Sequence, residues 1–204
     1  MIVKKANPFL ITVIILVLSF LTYLFVTSQN SADRLPIVKA APDFTLEQLD
    51  GSDFELKDNQ GKVMLIEFMF TSCPDICPAT TYNMVLLQDE LIKQDSFGSK
   101  VQLVAITFDP NTDTPEVFQS YAKRMGIDQS GWRLLRGDEA YTIEKAKEYG
   151  IGIQKLDNNQ YVHTVTSLML VDANQQIRKI YRMGEEMDNT LILKDINRLL
   201  KEKI

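Results

Sequence analysis

Cysteine is scarce in this chain and histidine scarcer: of 204 residues, two are cysteine and one is histidine. The cysteines, Cys73 and Cys77, lie four apart with Pro78 directly after the second, and the histidine is His163. Two cysteines cannot build a disulfide scaffold for a domain of this size, so they read as a working pair, with one structural disulfide as the plain alternative. Positive charge is also short, with 22 Lys and Arg against 27 Asp and Glu and a formal net charge of −5. The signs are mixed along the chain and form no basic stripe, which argues against a nucleic-acid partner. The methionines form no thioether cluster. Met64, Met69, Met84 and Met169 fall in apolar segments and read as core, while Met183 and Met187 flank a loop.

Charge is absent from Phe9 to Thr27, where the only polar side chains are Thr12, Ser19, Thr22, Tyr23 and Thr27. At ~1.5 Å per residue this run is just long enough to cross a hydrocarbon core of ~30 Å. It predicts a membrane anchor over residues 9–27. Residues 1–8, with Lys4 and Lys5, would stay in the cytoplasm and the rest would face the extracytoplasmic side. A cleaved signal peptide is the competing reading, but its apolar core is usually shorter and Val26-Thr27-Ser28 makes a mediocre cleavage site. No cysteine stands near the end of the run, which excludes attachment through a lipidated cysteine. Residues 28–37 read as a polar linker, and 38–204 has the size of one compact domain, a little over the usual ~100–150 residues.

Within that domain strands and helices alternate. Asp43 to Leu46 and Asp53 to Leu56 flank Asp50-Gly51 as a short strand pair. Val63 to Phe70 is an apolar run broken only by Glu67, the pattern of a strand buried on both faces, and Val101 to Phe108 is a second buried strand. A helix is expected from near Pro78 through Met84, Leu87 and Leu91, and another from Thr114-Pro115-Glu116 to Gly126. Trp132 to Leu135 predicts a strand and Asp138 to Tyr149 a helix ended by Gly150. Ser167 to Val171 and Ile177 to Tyr181 predict a hairpin, and Asn189 to Lys201 the last helix. The result is an α/β domain with a mixed sheet and helices on both faces.

Two sulfurs and one imidazole nitrogen suit a soft ion such as Cu(I), whereas a disulfide needs only the sulfurs. If the helix reaches back far enough, Cys73 and Cys77 share one face, and the helix N-terminus favours their thiolates. A lone histidine is more often an ordinary polar residue than a ligand, so His163 carries little weight by itself. Glu67 is either buried with a raised pKa, able to act as acid or base, or turned to a polar edge. Asp109 ends a buried strand on the edge where open α/β sheets place their ligands, though Asp before Pro also signals a turn. Asp75 between the cysteines reads as solvent-exposed, and Asp113 and Thr114 as the start of a helix.

Three segments, FTSCPDICPATT at the cysteines, TFDPNTDTP at Asp109 and HTVTSLMLVD at His163, stand in an order that resembles the Sco family of copper proteins. The resemblance implies a thioredoxin-like fold binding one copper per chain, as Cu(I) or Cu(II), through Cys73, Cys77 and His163. It implies a role in assembling the binuclear copper centre of cytochrome c oxidase, by delivering copper or reducing the partner's cysteines. The partners would be the copper-binding oxidase subunit and, beyond it, other copper chaperones or thiol reductants. Asp109 would serve copper handling or partner contact, and Asp75 and Glu67 would lie close to the metal without binding it. Thr166 stands where thioredoxin-like folds carry a cis proline, which would let the loop at His163 face the cysteines. Glu67, six residues before Cys73, matches the buried carboxylate of thioredoxin-like reductases. The rival function is therefore a thiol-disulfide oxidoreductase, with Cys73 attacking, Cys77 resolving and no metal. A peroxiredoxin-type peroxidase fits less well, given Pro78 and the nearby Cys77.

Overall fold

The computed structural model describes residues 9, 12–22, 34–156 and 161–202. Residues 12–22 are helical. The rest of the expected anchor, 10–11 and 23–27, lies outside the described residues, and among those described no helix is long and apolar enough to cross a membrane. The chain divides into a unit ending at Arg34 and a compact unit from Leu35 to Ile204.

The second unit contains strands β1 (Lys39–Ala40), β2 (Thr45–Gln48), β3 (Asp53–Glu55), β4 (Val63–Met69) and β5 (Val101–Thr107). After them come β6 (Trp132–Arg136), β7 (Gly152–Lys155), β8 (Tyr161–Val165), β9 (Leu168–Val171) and β10 (Gln176–Tyr181). Its helices are α1 (Ile76–Lys93), α2 (Pro115–Met125), α3 (Glu139–Glu148) and α4 (Asn189–Leu199). Eight strands form one mixed sheet in the order β1-β10-β9-β4-β5-β6-β2-β3. At its centre β4, β5 and β6 run parallel, with Val63 opposite Val101 and Met69 opposite Thr107. β9 returns antiparallel to β4, and the β2–β3 hairpin closes the other edge.

Every residue of β4 and β5 is buried, so both faces of the central pair are covered, as continuous apolar strands require. Met64, Met69, Met84 and Met169 are fully buried among them and serve as core. Glu67 is equally buried, which decides against the polar edge. Helix α2 begins as the sequence predicts: Thr114 accepts a hydrogen bond from Val117 N–H at 3.4 Å, Pro115 is the first helical residue, and Gly126 ends the helix at φ +80°.

Three local features depart from the sequence reading. Helix α1 begins at Ile76, two residues before Pro78. Proline is tolerated anywhere in the first turn because those N–H groups have no intrahelical partner, so Cys77 is helical. The segment around His163 is a strand, not a loop: β8 pairs antiparallel with β7 in a separate two-stranded sheet. Tyr161, Val162, Thr164 and Val165 are aromatic or β-branched and favour extended backbone, but His163 and Thr164 mask the apolar alternation that would announce a strand. Asp113 does not start a helix. Thr114 takes that role, and Asp113 is fully buried.

Candidate metal centre

The cysteines sit where the central strand hands over to α1. Strand β4 ends at Met69, residues 70–75 turn, and α1 starts at Ile76. Cys73 N–H donates to the Phe70 carbonyl at 3.3 Å, and Cys77 N–H donates to Cys73 Sγ at 3.4 Å. Both thiols are free; Cys73 is 9 % exposed and Cys77 fully buried. The Cys73 thiol is lowered to about 6, first by a hydrogen bond from the Cys77 thiol and then, against the cost of burial, by the N–H groups of Asp75, Cys77 and Ile76. Those amides are the unpaired donors of the helix N-terminus, which stabilise an anion. Cys77 is driven the opposite way, far above the usual thiol range, because it donates to Cys73 and because it is buried. The pair is thus one thiolate and one thiol at neutral pH.

The loop is held from below by Asp113. Its carboxylate accepts from Thr71 N–H at 3.1 and 3.2 Å and from the hydroxyls of Thr71 and Thr107. Thr107 Oγ1 in turn accepts from Asp109 N–H at 3.0 Å, and Arg136 donates to the carbonyls of Asp113 and Pro110 at 2.8 and 2.9 Å. Burial raises the Asp113 carboxyl, and these hydrogen bonds oppose the rise. Sequence reasoning missed this clamp. Its signal was available: once Thr114 is assigned as the helix cap, Asp113 has no local task left.

Below the cysteines lies a second carboxyl. Among the described residues neither oxygen of Glu67 has a hydrogen-bond partner, and burial, with the Cys73 charge as a smaller cause, raises it to about 8. Nearby, the hydroxyls of Tyr121 and Thr81 pair at 2.8 Å; burial raises Tyr121, and Glu67 and both cysteines add to the rise.

Two clefts flank the cysteine loop. One, of about 560 Å³, is lined by Phe70, Ser72, Pro74, Asp109, Tyr161 and Val162. The other, of about 490 Å³, brings Asp75, Ile76 and Ala79 together with Thr166 and the turn at Gly184. Gly184 (φ +73°) is tied to α1 through its N–H to Thr80 Oγ1 at 2.8 Å and its carbonyl from Asn83 at 3.0 Å. Asp109 is 7 % exposed and Asp75 is exposed, at the N-cap of α1, with no side-chain capping bond. Val162 and Thr166, on either side of His163 in the chain, therefore both border the cysteine-bearing segment.

His163 itself pairs with Ile153 across the β7–β8 sheet. Its side chain lies outside what the structure describes. The next residue, Thr164, is the extra residue of a bulge: Gly152 pairs with Val165 and Ile153 with His163. Bulges re-aim neighbouring side chains and recur beside functional sites. A Cβ on Gly152 would fall 2.1 Å from Thr164 Oγ1 and 2.9 Å from Val165 N, so only glycine allows this approach. Among the described residues no group of three or more His, Cys, Asp or Glu side chains could hold a metal ion. The two sulfurs form a soft, partly ionised donor pair of the kind that suits copper.

A cysteine pair at the N-terminus of the helix following a central strand, one thiol acidic and the other buried, on a mixed sheet flanked by helices, defines a thioredoxin-like protein. The chain belongs to the SCO1/SenC family, whose model matches residues 34–201. It is 35 % identical over 187 residues to a SCO2-like protein of Rickettsia prowazekii, covering 83 % of this chain and 88 % of that one. Among solved structures it resembles BsSco, a member of the Sco family of cytochrome c oxidase assembly proteins in which a disulfide switch is identified. That match has a TM-score of 0.72 and 25 % identity, over 83 % of this chain and 99 % of that one. It also resembles copper-bound ScoI of Arabidopsis thaliana, with a TM-score of 0.64 and 26 % identity, over 78 % and 99 % of the respective chains.

Proposed function

We propose that this protein is a membrane-anchored, outward-facing copper carrier that holds one copper through Cys73, Cys77 and His163. Its task is assembly of the binuclear copper centre of cytochrome c oxidase, by delivering copper or reducing the cysteines of the copper-binding subunit. The observation that carries this reading is the free Cys73–Cys77 pair at the head of α1, where Cys77 N–H donates to Cys73 Sγ. Copper as cargo is held by soft thiolates, so the Cys77 proton leaves as the metal arrives. The copper-bound relative and the oxidase-assembly relative support the assignment of metal and task. The uncharged run over 9–27 supports the anchor; the protein is expected to stay with membranes on alkaline carbonate extraction, and its release would remove that part of the proposal.

The test of the metal site is the copper content and spectrum of the reduced protein. One copper per chain with a strong sulfur-to-copper charge-transfer band is expected, and His163→Ala is expected to lower copper affinity by ~10²-fold or more while the Cys73–Cys77 disulfide still forms. Unchanged copper binding in His163→Ala removes the three-ligand site.

Glu67 favours a second reading, thiol-disulfide exchange without metal. It is a buried carboxyl near neutral pKa beneath a thiol that must be deprotonated to resolve a mixed disulfide. On this reading Glu67→Gln slows disulfide exchange by ~10²-fold or more and leaves copper affinity alone.

A further inference from the structure

Beside Cys73 the cleft of about 560 Å³ has a composition that selects its occupant. Ser72 and Pro74 are the chain neighbours of Cys73, so the cleft lies beside the turn that carries that sulfur. Among its described lining residues Asp109 is the one charged group. The backbone of Asp109 is fully used, its N–H by Thr107 Oγ1 and its carbonyl by the N–H groups of Thr112 and Asp113. Its carboxylate makes no hydrogen bond or ion pair with any described residue, although the residue is only 7 % exposed. A carboxylate so placed reaches the water of the cleft and has no partner among the described residues, so it is available to pair with a counter-charge that enters.

The walls point the same way. Phe70 and Tyr161 have ring centroids 6.2 Å apart, with Phe108 packed against them at 5.2 and 5.5 Å. Ring faces attract cations, and Tyr161 already carries the Lys155 ammonium at 5.1 Å. That lysine does not neutralise Asp109, because it is paired with Glu139 at 2.6 Å. A bare hard metal ion needs six or so oxygen ligands, and one carboxylate does not supply them. A guanidinium or ammonium on a short aliphatic stem fits both the carboxylate and the rings.

We propose that this cleft receives a lysine or arginine side chain of the protein whose cysteine meets Cys73, and so reads the residues beside that cysteine. The proposal rests on the reading that Cys73 engages a partner thiol. It deepens that reading by naming the partner's chemistry.

The test uses the full chain with Cys77→Ser, which keeps a hydroxyl donor toward Cys73 and cannot resolve a mixed disulfide. Short peptides carry one cysteine capped as a thionitrobenzoate disulfide and differ only in a flanking Arg, Lys, Gln or Glu. The Cys73 thiolate attacks the peptide sulfur, a Cys73–peptide disulfide forms, the peptide–thionitrobenzoate bond breaks, and one thionitrobenzoate anion leaves, with no net oxidation. Its absorbance reports the rate. At low salt the Arg and Lys peptides are expected to react about tenfold faster than the Gln peptide, and the Glu peptide more slowly. In Asp109→Asn the Arg-to-Gln rate ratio is expected to fall to about 1, whatever happens to the absolute rates, and in Asp109→Glu to be largely kept. A wild-type ratio near 1, or a tenfold ratio that survives in Asp109→Asn, overturns the cleft assignment alone. A Cys73 that reacts with none of the peptides overturns the assignment together with the partner-thiol reading beneath it.

Discussion

At the scale of single residues the site is defined by an asymmetry between chemically identical groups. The Cys77 thiol donates to Cys73, whose sulfur also receives the Cys77 N–H and the neighbouring amides of the first helical turn, so it becomes the thiolate. Reaction of Cys73 with iodoacetamide is expected to titrate near pH 6. Cys77→Ala, which removes the thiol donor, moves that midpoint upward, toward the unperturbed 9.0. An unmoved midpoint leaves the helix amides as the whole cause. Stability follows with opposite signs for two groups. The folded pKa of Cys73 is lowered from 9.0, so its contribution is complete above pH 9 and lost as pH falls through 6. Glu67 is raised from 4.5 to about 8, so its contribution is complete below pH 4.5 and lost as pH rises through 8. The two oppose each other between pH 6 and 8. In Glu67→Gln the opposition disappears, and the urea midpoint of the reduced protein is expected to climb across that window more steeply than in the wild type. Equal slopes would mean that Glu67 is not protonated in the folded protein. The cysteine pair and Glu67 were legible from sequence because each interrupts an otherwise regular pattern. Whether Glu67 meets solvent was not, since that depends on β5 and β9 lying against β4 from distant parts of the chain.

At the scale of elements, the positions of the cysteine turn and of the strand that carries His163 depend on two devices that neither composition nor periodicity reveals. One is the Asp113 clamp, which ties the turn before Cys73 to the end of β5 through Thr71 and Thr107. Asp113→Ala leaves a partly buried backbone N–H and two hydroxyls without their acceptor and is expected to destabilise by ~2–4 kcal/mol in urea unfolding. Asp113→Asn keeps the acceptor on one side and is expected to cost about half as much; equal costs would show that charge, not hydrogen bonding, holds the turn. The other device is the bulge after His163. In Gly152→Ala the new methyl meets Thr164 Oγ1 and the Val165 backbone, so the strand carrying His163 has to shift. Copper affinity is expected to fall by ~10-fold or more while Cys73–Cys77 disulfide formation is unchanged, and Thr164→Ala in the same chain is expected to restore part of the loss. Loss of disulfide formation as well would mean that the whole site, not the β7–β8 sheet alone, is disturbed. Most strands and all four helices of the domain announce themselves through apolar runs, caps and glycine stops. β7 and β8 do not, because they are short, partly polar, and paired only with each other.

At the scale of the molecule, the sheet separates what holds the domain together from what does its chemistry. Three sequence segments around Cys73, Asp109 and His163 converge at or beside the C-terminal ends of β4 and β5, the edge where parallel strands of an open sheet present ligand sites. That convergence is topological, which is why the segments could be ranked from sequence but their contacts could not. The opposite end of β4 carries a buried polar staple. Arg178, 6 % exposed, donates to Asp172 at 2.7 Å, to Glu202 at 2.9 and 3.1 Å, and to the carbonyls of Leu35 and Pro36. It thus joins the first residues of the domain to the last turn before its C-terminus. Asp172 follows Val171, which pairs with Met64 at the start of β4, whereas the cysteine turn follows Met69 at its end. The six residue-to-residue steps from Val63 to Met69, at ~3.3 Å each, put about 20 Å between the two ends. Arg178→Met leaves Asp172 and the Leu35 carbonyl buried without their donor, a loss of ~3–5 kcal/mol, or roughly 10 °C in Tm for a domain of this size. Groups that far apart with no shared partner contribute independently. Arg178→Met is therefore expected to lower Tm while leaving copper content and the pH midpoint of Cys73 alkylation at their wild-type values, and its stability loss is expected to add to that of Asp113→Ala within ~0.5 kcal/mol. A shifted Cys73 midpoint in Arg178→Met, or a double variant well off the sum, would show that the staple and the site are coupled through β4, and that the sheet transmits rather than separates.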